Sequence, residues 1–308
     1  MNKLAFIFPG QGSQQVGMGL DLFYDTQIGK MRFEEADEIM EMTLSSLIFN
    51  GPEEKLKQTE YTQPALYVVS VILAELLVEN DISPSMAAGH SLGEYSALAA
   101  AGCFSFAEGL RLVKVRSRGM KEAGITQPGT MAAIIGLDED TIKQICQDAS
   151  SSGIVQPANF NSHNQIVISG DVNGVSQAMK LAKNAGARKA IELNVSGAFH
   201  STLMEPAKEK LAGTLQLQTL NKLDFPVVMN VTAKPTEDPD EIRQNLLAQL
   251  DSPVLWTDTV EAIRDAGISE MVEVGQGRTL QGLVKRIDKS IATRGVSKIN
   301  DIKEYAHA

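Results

Sequence analysis

The chain has 308 residues, 43% hydrophobic and 21% charged, which is ordinary for a water-exposed globular chain long enough for one large domain or a domain with an insertion. Its formal net charge of -10 argues against nucleic acid as a partner, and its two cysteines, Cys103 and Cys146, offer neither a disulfide framework nor a metal pattern. The start lacks a secretory pattern, and the longest apolar run, Ala65 to Val78, is interrupted by Glu75 and is short for a membrane span, so a cytoplasmic monomer away from membranes is expected.

Leu4 to Phe8 reads as a buried strand that runs into the loop Pro9-Gly10-Gln11-Gly12-Ser13-Gln14. Thr62-Gln63-Pro64 reads as a helix start, with Leu66, Val69, Leu73 and Leu77 on one apolar face. Ser85 to Gly89 is a short run of small residues suited to a buried strand, and Glu94 to Ala101 is a good helix former stopped by Gly102. A further helix is expected from Phe106 to Ala123. Strands alternating with helices predict a parallel sheet covered on both faces.

The pattern changes near Gly124. Strands are expected at Thr130–Leu137, Ile154–Phe160, Gln165–Gly170 and Lys189–Val195, with helices at Asp138–Ala149 and Val172–Ala185. That β-α-β-β-α-β order is the ferredoxin-like unit. The expected fold is therefore α/β. An α/β-hydrolase-like parallel-sheet core, residues 1–124 and 198–308, would carry a ferredoxin-like (βαββαβ) subdomain at 125–197. The alternative is that these elements extend the main sheet. Beyond it, Pro226–Asn230 and Glu270–Val274 read as strands and Pro239–Leu250 and Trp256–Ala266 as helices, while the last twenty residues give little pattern.

Between the second strand and its helix lies Gly89-His90-Ser91-Leu92-Gly93, a G-x-S-x-G pattern. Three fixed positions occur by chance roughly 0.1 times in such a chain, so the flanks decide. Here they supply the strand and helix that a nucleophile elbow requires, with Ser91 exposed on a tight turn. A serine nucleophile needs a base. Of His90, His163, His200 and His307, His200 follows a strand and a Ser-Gly-Ala run, a placement that favours catalysis, although a capping histidine fits the spacing too. His90 should point away from Ser91, His163 sits in a polar loop and His307 in the terminal tail. Leu92, next after the nucleophile, and the Gly10-Gln11-Gly12 loop could supply oxyanion donors. A dinucleotide fingerprint fails because Gln15 stands at the third glycine position, no G-K-[ST] follows for a P-loop, and no H-E-x-x-H or Cys/His cluster suggests a metal.

Seven ordered blocks resemble malonyl-CoA:acyl carrier protein transacylases, of the acyltransferase family of fatty acid and polyketide synthesis. They are Phe8-Pro9-Gly10-Gln11-Gly12-Ser13-Gln14, Tyr61-Thr62-Gln63-Pro64-Ala65, the elbow through Tyr95, Ala158-Asn159-Phe160-Asn161-Ser162, Val195-Ser196-Gly197-Ala198-Phe199-His200-Ser201, Gln249-Leu250-Asp251-Ser252-Pro253-Val254 and Glu273-Val274-Gly275-Gln276-Gly277. The resemblance spans nearly the whole chain. It implies Ser91 as nucleophile, His200 as base, the Gln249 backbone carbonyl as its orienter, and the Gln11 and Leu92 N–H groups as the oxyanion hole. It implies Arg116 as the binder of the malonyl carboxylate. By spacing alone, flanked by Arg111 and Arg118, that residue reads as a solvated helix position. Phe199 and Asn161 are implied in the substrate pocket, Phe199 in its malonyl-selecting form. No bound cofactor is implied; a coenzyme A thioester is the donor and the phosphopantetheine of acyl carrier protein the acceptor. Arg188, Lys189, Lys285 and Arg286 are candidates for docking that acidic partner. Leu255, His163-Asn164 and Gln276 depart from the common pattern, all outside the implied catalytic positions. The alternatives are a free-standing acyltransferase of a polyketide synthase and a serine thioesterase or hydrolase. The latter is disfavoured by the length of chain after His200.

Overall fold

The computed structural model describes residues 4–306; His307 lies outside them. Two sheets organise the chain. The first has six strands in the order β10-β9-β1-β2-β7-β8. They are β1 Leu4–Phe8, β2 Met86–Gly89, β7 Val227–Val228, β8 Pro235–Thr236, β9 Glu270–Val274 and β10 Ala292–Val296. All neighbours are parallel except β7 and β8, whose pairing is antiparallel. In β1, Phe6 and Phe8 face one apolar core while Ala5 and Ile7 face a second on the opposite side. The two-residue alternation of a strand thus fills both layers, which is why Leu4–Phe8 is apolar throughout rather than alternating with polar residues.

The second sheet holds β3 Thr130–Ile135, β4 Val155–Ser162, β5 Gln165–Gly170 and β6 Lys189–Glu192 in the order β4-β5-β3-β6, all antiparallel. With the helices Glu139–Ala149 and Val172–Asn184 it forms the β-α-β-β-α-β unit with the ferredoxin-like strand order, and it has its own apolar core. It does not extend the parallel sheet. Its β4 edge is tied to the main body where the Phe160 N–H donates to the Val254 carbonyl and the Val254 N–H to the Ala158 carbonyl, both at 2.9 Å.

Several boundaries shift from the sequence expectation. The core helix spans Thr59–Glu79, so Pro64 lies inside it rather than at its start; the turn before is held by the Thr62 hydroxyl donating to the Leu56 carbonyl at 2.5 Å. This helix is long and apolar enough to cross a membrane, yet 83% of its most apolar stretch is buried inside the fold. Its Glu75 accepts from Arg32 at 2.8 and 3.0 Å. β6 stops at Glu192, because Leu193 makes the last rung to Met131 and the Val195 N–H turns back to the Leu193 carbonyl. The final residues, which gave no pattern, form β10 and the helix Ile299–Ala306.

Candidate active site

Three adjacent parallel strands deliver the site at their carboxyl ends, where ligands gather in open α/β sheets. β1 leads into Gln11, β2 into Ser91 and β7 into Asn230, and Phe8 of β1 stands opposite Gly89 of β2. The elbow is compact. A Cβ on Gly89 would lie 1.9 Å from the Gly93 backbone, and one on Gly93 would lie 2.0 Å from the Phe8 carbonyl oxygen. Neither position has room for a side chain, which explains both fixed glycines. Ser91 itself has φ 53°, a left-handed conformation rare outside glycine.

The strain presents a hydroxyl to two partners. Ser91 Oγ lies 2.8 Å from His200 Nε2 and accepts from Arg116 Nη2 at 3.1 Å. His200 Nδ1 lies 2.7 Å from the Gln249 carbonyl oxygen. A carbonyl only accepts, so Nδ1 carries the proton and Nε2 presents its lone pair to the serine. Burial pulls the His200 pKa down to about 3, helped by the positive charge of Arg116 and opposed by the bond to Gln249. The imidazole is therefore neutral at neutral pH and able to take a proton.

Arg116 is fully buried rather than solvated, on the inner face of the helix Phe106–Thr126. Its contacts are neutral: Nη1 donates to Gln63 Oε1 at 2.6 Å and Nη2 to Gln249 Oε1 at 2.8 Å. Its buried Nε has no partner among the described residues, and the Tyr95 ring lies 5.4 Å from its guanidinium carbon. Burial lowers its pKa, while Tyr95 and Glu94 oppose that shift. A buried guanidinium with no carboxylate in contact is expensive, and such a site favours an incoming anion.

The cavity in front of Ser91 has a volume of about 130 Å3 and is bordered by Gln11, Leu92, Met131, Asn159, Phe199 and His200, among others. Among the described residues, neither the Gln11 nor the Leu92 N–H finds an acceptor within the protein. Gly10 packs so tightly on the elbow that a Cβ there would meet the His90 carbonyl oxygen at 2.5 Å, which keeps the Gln11 backbone beside Ser91. Phe199 borders the cavity, whereas Asn161 stands behind it with Oδ1 2.8 Å from His90 Nε2; Asn159 takes the lining position. His90 thus turns away from the serine oxygen, and His163 is exposed beside Glu261 at 3.4 Å.

Three residues without a role in the sequence reading are built into the site. Gln63 holds Arg116, Asn230 Oδ1 accepts the Ser91 N–H at 2.8 Å, and the buried Glu94 contacts both Asn230 and Gln249. Glu94 carried one sequence signal, a charged residue in an otherwise small and apolar helix. Asn230 carried none.

A serine on a strand–helix elbow, in contact with a neutral histidine and a buried guanidinium, is the apparatus of an acyl-transfer enzyme. Residues 5–305 match the acyl transferase domain family, and the chain belongs to it. It is 45% identical over 298 residues to the malonyl CoA-acyl carrier protein transacylase of Bacillus subtilis, covering 96% of this chain and 94% of that one. To the Escherichia coli K12 protein of the same description it is 43% identical over 309 residues, covering 100% and 99%. The crystal structure of a Vibrio cholerae acyl carrier protein S-malonyltransferase superposes with a TM-score of 0.95 at 41% identity, covering 98% of this chain and 99% of that one. A malonyl-transacylase solved in complex with a type II polyketide synthase acyl-carrier protein also gives 0.95 at 41%, covering 99% of each.

Proposed function

We propose that this chain transfers the malonyl group of malonyl-CoA to the phosphopantetheine thiol of acyl carrier protein, in the cytoplasm and in the service of fatty acid synthesis. One observation carries the reading: Ser91 Oγ touches both a base, at 2.8 Å, and a buried guanidinium that lacks a carboxylate, at 3.1 Å. The first contact makes a nucleophile, and the second selects a dicarboxylic acyl group.

Ser91 Oγ gives its proton to His200 Nε2 and attacks the thioester carbon. The oxyanion is held by the N–H groups of Gln11 and Leu92, two residues that border the cavity and whose N–H groups find no acceptor among the described residues. The C–S bond breaks, and the coenzyme A sulfur leaves with the proton from His200. The thiol of the carrier then gives its proton to the same nitrogen, attacks the malonyl-serine ester, and returns Ser91 to its hydroxyl form. The Gln249 carbonyl holds the imidazole in the required tautomer throughout. Residues 125–197 act as a subdomain of their own in this reading, supported by the confinement of the antiparallel sheet to 130–192. Initial rates with both substrates varied should give parallel double-reciprocal lines. Intersecting lines would show that both substrates bind before any acyl group moves, and would remove the serine ester from the scheme.

The acceptor is an acidic protein, and Arg188, Lys189 and Arg286 border one cleft of about 330 Å3 at the seam between the antiparallel sheet and the helix Thr279–Ile287, which carries Arg286, with Ile135 and Gln165. Arg286 Nη1 donates to Gln165 Oε1 at 2.7 Å across that seam. Ile135 lies four residues along β3 from Met131 of the active-site cavity, about 13 Å in a strand. An extended phosphopantetheine arm crosses such a span. Lys285 is exposed on the same helix but does not border the cleft. Charge reversal at Lys189 and Arg286 is expected to raise the KM for carrier protein about tenfold and to spare that for malonyl-CoA, with a weaker effect from Lys285. Equal effects on both substrates would count against this face.

A further inference from the structure

Glu94 occupies the first turn of the elbow helix Gly93–Ala100, three residues after the nucleophile, and is fully buried. One carboxylate oxygen accepts the Asn230 N–H at 2.5 Å and the other accepts from Gln249 Nε2 at 2.6 Å. Those two residues grip Ser91 by its backbone. Asn230 Oδ1 accepts the Ser91 N–H, and Gln249 Nε2 donates to the Ser91 carbonyl, each at 2.8 Å. Asn230 Nδ2 also donates to the Gly89 carbonyl at 2.6 Å. A residue held at φ 53° keeps that conformation only if its surroundings over-determine it, and these bonds supply the constraint.

Gln249 links the same carboxylate to the rest of the site. Its Oε1 accepts from Arg116 and its main-chain carbonyl faces His200 Nδ1. With a carboxylate on one side and a guanidinium on the other, the amide has one allowed orientation. Flipping it would aim its NH2 at a cation and its oxygen at an anion.

We propose that Glu94 is a positioning residue for acyl transfer, whose carboxylate, through Asn230 and Gln249, holds nucleophile, guanidinium and base in register without touching the substrate. The inference rests on the acyl-transfer reading of Ser91. The ionised form suits it best, because both contacts on its oxygens come from donors and a charged acceptor makes each of them about twice as strong. Burial raises the Glu94 pKa to about 7, against the pull of the Asn230 N–H, the Arg116 charge and Gln249. The titratable groups facing it are Arg116 from the helix Phe106–Thr126 and Tyr95 beside it; Asn230 and Gln249, on the other side, do not titrate. His200, at about 3, shifts the other way. An acylation rate that depends on the ionised carboxylate should therefore rise with pH near neutrality, where Glu94 rather than His200 titrates.

The test is single-turnover acylation of Ser91 by malonyl-CoA across the pH range, in the native chain, Glu94→Gln and Glu94→Asp. The native rate should rise through about pH 7. Glu94→Gln should lack that limb, run about tenfold or more slower on the alkaline plateau, and keep its half-saturating malonyl-CoA concentration. Its melting temperature at alkaline pH should stay close to the native value, because loss of a costly buried charge offsets the one hydrogen bond that the amide NH2 cannot accept. Glu94→Asp should recover part of the rate together with a limb. A limb that survives in Glu94→Gln, an unchanged rate, or a loss that tracks a fall in melting temperature would overturn the proposal. If neither variant folds, a native profile flat through neutrality overturns it. A native chain that never acylates would instead sink the acyl-transfer reading beneath it.

Discussion

Ser91→Ala is expected to carry no malonyl group after incubation with malonyl-CoA, while intact mass shows one malonyl adduct on the native chain. The expectation follows from position. Ser91 Oγ meets the His200 lone pair at 2.8 Å, and it borders the same cavity as Gln11 and Leu92, whose N–H groups find no acceptor among the described residues. Without it the neutral histidine has no hydroxyl to deprotonate and the proposed oxyanion donors have no tetrahedral centre to hold. Loss of the nucleophile from such a group typically removes all but the contribution of the donors and binding, so the transfer rate should fall by about 10^4-fold or more. Alanine must adopt the left-handed backbone that serine holds at φ 53°, so Ser91→Gly, which takes that conformation without strain, separates lost chemistry from lost folding. Both variants should be empty. The native adduct should clear on addition of carrier protein and persist in buffer alone, which distinguishes a transferase from a hydrolase. An adduct of equal yield on either variant would place the acyl group elsewhere.

What the sequence reveals of this arrangement is what short segments can encode. The β1 and β2 strands, the elbow glycines and the β-α-β-β-α-β order follow from local composition and spacing, and the structure has them close to where the pattern puts them. Strand ends are less legible, because the end of a strand is set by its neighbour. Lys189–Val195 stops as a strand at Glu192, where the ladder to β3 runs out. Arg116 shows the same limit more sharply. Between Arg111 and Arg118 it reads as solvated, and only the packing of its helix against Gln63, 53 positions away, and Gln249, 133 positions away, makes it a buried cation. The resemblance to a known family could point to Arg116 and Gln249 because motifs carry such positions. It gave no role to Asn230, whose bond to Ser91 spans 139 positions and whose own segment, Pro226–Asn230, reads only as a short apolar strand. The basic residues behaved in between: Arg188, Lys189 and Arg286 converge on one cleft, and Lys285 stays outside it.

Arg116→Ala is expected to erase the preference for malonyl-CoA over acetyl-CoA, measured as the ratio of kcat/KM for the two donors. In the free protein this guanidinium is buried against neutral oxygens, with Nε unpaired. A malonyl ester on Ser91 carries a carboxylate within reach of Nη2, which lies 3.1 Å from the esterified oxygen. Two parallel charge-assisted bonds to that carboxylate complete a buried cation; acetyl offers it nothing. Truncating one partner of a buried charge pair costs about 2–5 kcal/mol, so malonyl transfer should fall by roughly 30- to 5,000-fold while acetyl transfer changes far less. A second effect adds to the first. The Arg116 charge is part of what depresses the His200 pKa, after burial itself. A bound carboxylate offsets that charge, so the base becomes stronger when malonyl is present and stays weak when acetyl is. The discrimination should therefore appear in kcat as well as in KM. Arg116→Ala should relieve the depression for every donor, and its acetyl rate should not drop below the native acetyl rate on this account. A lysine at the same position keeps the charge but not the planar pair of donors, and should restore only part of the malonyl preference. If Arg116→Ala folds and retains its donor preference, the carboxylate is read by another group and the guanidinium serves only to hold Gln63 and Gln249 in place.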